Sequence, residues 1–318
     1  LMATHPPLAE RIKRLQPNWD GEYDSSAKPD QPTPASAQDN ANHNRERFFQ
    51  ASVLAAAVEQ IGHTNSDALA QARGQLEDIG DALRDEAHSP SGACAIIIGL
   101  LLDPTSSEMR NQQWQLLTNH YTKATLKQWR NTVKHAAQVD ELDRLALLEL
   151  CLPALKALSE SQARTLQNAM DALIAADNRT DLHEWSLRRI VTHHLSEPNF
   201  HSQHKQLRHM RDSCQFVLSY LAHAGTDNAT DAARAFAQAR ELLRMSELPL
   251  LERAALNINA LDKALHELNR TRPLQKPQLL KAMMQTIESD GKITAAEAEL
   301  FRAIADSLNC PVPPLARQ

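Results

Sequence analysis

A chain of 318 residues, 42% of them apolar, is long enough for about two domains with cores of their own. Its formal charge of −5 and lack of a basic block argue against nucleic acid as a partner, while leaving room for a local patch. Aromatics make up only 4% of the chain and glycines number eight, a composition that favours helices packed through Leu and Ala and so an all-α fold.

The opening, THPPLAERIKRL, reads as an extended His-Pro-Pro lead-in followed by a short amphipathic helix carrying Leu8, Ile12 and Leu15. Residues 20–47 then hold three prolines and almost no large apolar side chain, so they read as a disordered linker that cannot recover the entropy of ordering. Helical spacing resumes near Phe48. Val53, Ala57 and Ile61 mark one helix, and Leu69, Leu76, Ile79 and Leu83 mark another.

Residues 93–102 form the longest apolar run, about half a membrane span, so the chain is expected to be soluble as it stands. This run suits a buried helix or a buried strand, and helix is preferred because no partner strand is visible. Thr105 and Glu108 suggest a capping box after Asp103-Pro104. Helices are expected over residues 111–121, 126–139 and 142–152, the last broken or kinked by Pro153. Ser159 and Gln162 cap a further helix carrying Leu166, Met170 and Leu173. After Pro198, helices are expected over residues 204–223, 231–245 and 250–268, and Pro273 and Pro277 precede a final pair. The expected division is thus two helical subdomains, residues 48–198 and 199–318.

An offset of about 113 positions lays Asp177, Glu184, Leu187, Arg189 and Leu195 over Asp290, Glu297, Leu300, Arg302 and Leu308 without a gap. Each copy reads as a helix end, a polar turn and a new helix. Asn178 and Gly291 suit a left-handed turn residue, while Asp181 with Glu184, and Thr294 with Glu297, suit reciprocal caps. Gly291, Ile293 and Glu297 would also be positions six, eight and twelve of a calcium loop, with Glu288 at three and Asp290 at five. Position one would be Thr286, and the first copy would offer Leu173 and Ala175 at one and three. Capped helix starts are therefore the preferred reading.

No His-Glu-x-x-His, glycine-rich phosphate loop, Gly-x-Ser-x-Gly or paired-cysteine metal motif occurs. Cys94, Cys151, Cys214 and Cys310 are far apart and read as buried thiols of a reducing compartment. His193, His194, His201, His204 and His209 crowd around one turn, where a transition metal is conceivable, but their spacing fits solvated histidines better. Trp114 and Trp129 read as core residues or as the wall of a peptide-binding groove.

Thr4, His5, Pro6, Pro7, Leu8, Arg11 and Ile12 match a Ser/Thr-His-Pro-Pro-Leu-x-x-Arg-Ile signature. The opening thereby resembles the segment just after the catalytic core of bacterial membrane zinc metallopeptidases related to HtpX and the CAAX prenyl proteases. The remainder is similar to a long carboxy-terminal extension of such peptidases. Its Asp290, Gly291, Ile293 and Glu297 also resemble the acidic turn of TerB-like helical domains, from which Asn178 and Thr180 depart in the first copy.

This resemblance implies that residues 1–19 are the tail of a peptidase domain whose zinc ligands and transmembrane helices precede Leu1, so the sequence reads as an excerpt. It further implies a non-catalytic region facing the cytoplasm at a bacterial inner membrane, needing no cofactor itself although the parent peptidase needs zinc. The partners it implies are the peptidase domain and protein or peptide substrates or adaptors, with no nucleic acid. The alternative is a self-standing TerB-like stress-response scaffold.

Overall fold

The computed structural model describes residues 49–50, 79–177, 181–196, 204–290, 292–310 and 312. The signature at residues 4–12, the linker and the helix expected around Val53 lie outside these, as do Asn178, Gly291 and His201. Twelve α-helices are described: α1 (Asp81–Ala87), α2 (Pro90–Leu101), α3 (Ser107–Leu117), α4 (Lys123–Ala136), α5 (Glu141–Leu155), α6 (Glu160–Ile174), α7 (Leu182–Leu195), α8 (Arg211–Ala224), α9 (Ala229–Leu242), α10 (Ile258–Leu268), α11 (Lys276–Ile287) and α12 (Ala295–Ser307). The fold is an all-α array.

The apolar run forms α2, which starts where Ser89 accepts a hydrogen bond from the Gly92 amide at 3.0 Å. A helix apolar on every side must be enclosed on every side. Accordingly α2 packs against α1, α4, α5 and α6, and Ile96, Ile97 and Ile98 are fully buried. Each such side chain contributes about 1.5–3 kcal/mol. Gly99 lets α4 approach, since a methyl there would stand 2.6 Å from Ala136 Cβ and 2.7 Å from the Val133 carbonyl oxygen.

The second half repeats this plan around α8, which packs on α9, α10 and α11 through buried residues that include Cys214, Val217, Leu218 and Leu221. The two groups are joined by α7 and α12, whose mutual contact is the largest between any two elements. These are the second helices of the two repeated units. They run in the same direction, because His183 meets Glu299 near one end and His194 meets Asp306 near the other. One hydrophobic core therefore runs through both halves.

Several boundaries differ from the sequence reading. Helix α3 starts from Ser106, because the Asp103 carboxylate accepts from the Thr105 and Ser106 amides at 2.7 and 2.6 Å and holds both outside the helix. Helix α5 continues past Pro153 to Leu155, where burial of Leu152, Ala154 and Leu155 outweighs the missing proline donor. The helix expected from residue 204 begins at Arg211, after a 3-10 turn at Leu207–His209, and α10 begins at Ile258 rather than near Leu250. One antiparallel ladder also departs from helix, with Phe49 opposite Ile293 and Gln50 opposite Lys292.

Left-handed backbone occurs, among the described non-glycine residues, at Arg244 and Asn309. Each closes a helix with the paired hydrogen bonds of a Schellman stop. After α12, the Cys310 amide donates to the Ala305 carbonyl at 3.0 Å and the Asn309 amide to Asp306 at 2.8 Å.

Candidate functional site

Both repeated turns end in a reciprocal cap. Asp181 accepts from the Glu184 amide at 2.8 Å while Glu184 accepts from the Asp181 amide at 3.2 Å. Thr294 accepts from the Glu297 amide at 3.2 Å, and the Glu297 carboxylate accepts from both the Thr294 amide, at 2.8 Å, and its hydroxyl, at 2.9 Å. The second cap is buried against α8, where a methyl at Gly225 would stand 2.4 Å from Glu297 Oε1. The carboxylate that a calcium loop would need at its twelfth position is thus turned onto its own helix start. Among the described residues, no three His, Cys, Asp or Glu side chains are grouped to hold a metal.

Polar groups concentrate where α7 lies on α12. His183 places Nδ1 2.7 Å from Glu299 Oε2 and Nε2 3.0 Å from the Leu100 carbonyl oxygen at the end of α2. A carbonyl only accepts, so Nε2 carries a proton. Burial opposes charge on this ring, but the Glu299 hydrogen bond and charge, with the Leu100 carbonyl, outweigh it and push the His183 pKa up.

At the other end of α7, His194 Nε2 lies 3.0 Å from Asp306 Oδ2, and Arg302 Nε donates to Asp306 Oδ1 at 3.1 Å. Arg302 also pairs with Glu149 of α5 and donates to the Val312 carbonyl oxygen at 3.1 Å. Burial raises the Asp306 pKa less than its His194 hydrogen bond and the Arg302 charge together lower it, whereas Glu149 is pushed up chiefly by burial. Arg189, which occupies the position equivalent to Arg302, donates instead to Ser307 at 2.8 Å and Asp262 at 3.1 Å.

These contacts correct the solvated reading at His193 and His194, while His204 and His209 are exposed as expected and His201 lies outside the described residues. His194 is half-buried and hydrogen-bonded to Asp306, and His193, half-buried beside it, has its pKa lowered by burial. Among the described residues no group of three His, Cys, Asp or Glu forms around this turn, and the His193 and His194 rings stand edge-on at 5.5 Å. His183, Glu299 and Asp306 were missed, although charged residues recurring on the core face of a helix, as at Glu299 and Asp306 two turns apart, are a legible signal.

The two tryptophans have different fates. Trp129 is buried and donates to Ser91 at 2.9 Å, with the Tyr121 ring edge-on at 4.6 Å. Trp114 is half-buried and lines a groove of about 390 Å³ between the end of α2, α3 and α4. Leu102, Pro104 and Val133 supply its apolar wall, while Arg110, Arg130 and Lys134 bring positive charge. Among the described residues, no carboxylate lines it. A concave apolar wall beside a few polar groups is the ordinary form of a binding site.

All four cysteines are free and buried. Burial pushes the Cys94 and Cys214 thiols up to about 12, which leaves them poor nucleophiles. Among the described residues, no helix is long and apolar enough to cross a membrane.

Comparison with protein-family models, with curated proteins and with solved structures finds no match to this chain.

Proposed function

We propose that this chain is the non-catalytic carboxy-terminal region of a membrane-bound zinc metallopeptidase, and that it binds the protein or peptide partners on which that peptidase acts. The observation that carries the proposal is the run Thr4, His5, Pro6, Pro7, Leu8, Arg11 and Ile12, which matches the signature found after the last metal ligand in peptidases related to HtpX. The polar, proline-rich residues 20–47 suit a tether between that signature and the helical array.

Two further features favour binding over catalysis. The titratable groups around the α7–α12 contact pair with one another and so tie helices together, although His183 also borders a cavity lined by Arg144, Asp181 and Glu184. The groove beside Trp114, by contrast, is open and contains no acid, base or nucleophile pair in catalytic arrangement. Zinc, the catalytic glutamate and the membrane anchor would belong to the portion preceding residue 1.

The coding sequence upstream of Leu1 tests this reading. A His-Glu-x-x-His motif on an apolar helical background, continuous with this frame, is the expected result. A start codon immediately before this chain would overturn the peptidase assignment and favour a free-standing TerB-like scaffold.

A further inference from the structure

The charged residues on the solvent face of α4 are all basic. Lys123, Lys127, Arg130 and Lys134 recur at helical steps of four, three and four, which puts them in one row, and all four are exposed. Residues 123–136 contain no Asp or Glu. Among the described residues, none of the four forms an ion pair with a carboxylate. Like charges at such spacing destabilise a helix. This row sits on a chain whose net charge is −5.

The carboxy-terminal half of the row, Arg130 and Lys134, lines the groove. Arg130 and Lys134 stand on its α4 side, and Arg110 of α3 stands opposite, fixed by donating to the Asp103 carbonyl oxygen at 2.9 Å. Between them lie the Trp114 indole, Val133 and Pro104. We infer that this groove binds an acidic peptide segment, with a bulky apolar side chain against Trp114 and flanking carboxylates on Arg110, Arg130 and Lys134. The inference rests on the reading of this region as partner-binding and names the chemistry of the partner.

Charge complementarity selects the carboxylates, and the concave wall selects a peptide over a bilayer. A helix that lies on lipid needs bulky apolar side chains to insert. On α4 the large ones, Leu126, Trp129 and Val133, are buried. The exposed large apolar residues of the described structure, Leu242 and Leu274, belong to other segments. Single-stranded nucleic acid would need a run of stacking aromatics, and the groove wall has one, Trp114.

The test is fluorescence anisotropy on the 318-residue chain with a short labelled peptide of Glu and Asp around a central Phe. Binding should weaken as salt rises, and R130E with K134E should weaken it by about tenfold or more without changing the helical circular dichroism. W114A should weaken it at unchanged charge, and a peptide with Gly for Phe should lose the same increment. Equal binding to wild type and R130E/K134E, equal binding of a Lys-for-Glu peptide, or no binding would overturn the inference. So would stronger binding of phosphatidylglycerol vesicles or a poly-dT oligonucleotide than of the peptide. The upstream coding sequence plays no part in this result, so failure of the groove and failure of the peptidase assignment are separable.

Discussion

His183 and Glu299 meet at 2.7 Å across the contact of α7 with α12, and the same imidazole reaches the last turn of α2 through Leu100. One ring thereby ties both repeated units to the central helix of the first group. The cation that forms there faces a carboxylate on one side and a helix C-terminus on the other, both of which favour charge.

The stability this pair contributes depends on pH in a definite direction. Because the folded-state pKa of His183 is raised, its contribution is complete below the unfolded value of about 6.5 and is lost as pH rises through the folded-state value. Wild-type chain should therefore lose melting temperature above neutral pH more steeply than H183Q. Parallel curves for the two proteins between about pH 6 and 9 would contradict this.

Asp306 behaves with the opposite sign. Its lowered pKa gives stability present above the unfolded value of about 3.9 and lost as pH falls through the folded-state value. Removing its cation is the more severe change, since R302M leaves the half-buried Glu149 without its cation and Asp306 with His194 as its remaining side-chain partner among the described residues, and should cost about 3–5 kcal/mol in chemical denaturation. Adding E149L to R302M should restore part of that loss, and no recovery would show that the pair is not coupled.

G99A should destabilise the chain by about 1–3 kcal/mol, since a methyl would press on Ala136 and the Val133 carbonyl where α2 crosses α4. Val133 also walls the groove, so the same substitution should alter peptide binding. Denaturant titration measures the first effect and anisotropy the second. An unchanged midpoint would mean that α2 and α4 pack less closely than the structure has them.

The two caps should be worth similar amounts despite their different surroundings. T294A and D181A should each cost about 0.5–2 kcal/mol, with the larger loss at the buried Thr294 cap, read from urea midpoints. Calcium should leave the melting temperature of wild type unchanged, because Glu297 is engaged at its own helix start. A saturable calcium-dependent rise abolished by E297Q would contradict this.

Much of the helical framework was legible because it depends on local chemistry. Ser159, Asp181 and Thr294 each act as a cap, and the apolar steps within α5, α7 and α12 mark buried faces, whereas the cap expected at Thr105 falls on Ser106. The offset repeat located the two helices that join the halves. What escaped was long-range. Arg189 and Arg302 are equivalent in sequence, yet one reaches Asp262 and Ser307 while the other reaches Glu149, and no local pattern specifies those partners. The basic row was hidden by a whole-chain charge that averages it away, and only the fold sets it beside Trp114. Pro153 misled because burial of its neighbours overrides a local preference.

The most direct measurement of the account as a whole compares chelator-sensitive proteolysis by the proposed parent peptidase with that of a version ending at residue 47. The account predicts that cleavage of an unfolded substrate such as casein survives the truncation, while cleavage of a substrate carrying an acidic, apolar-anchored segment falls to the level of one lacking it. Chelator-sensitive proteolysis by the isolated 318-residue chain, or equal cleavage of both substrates before and after truncation, would contradict it.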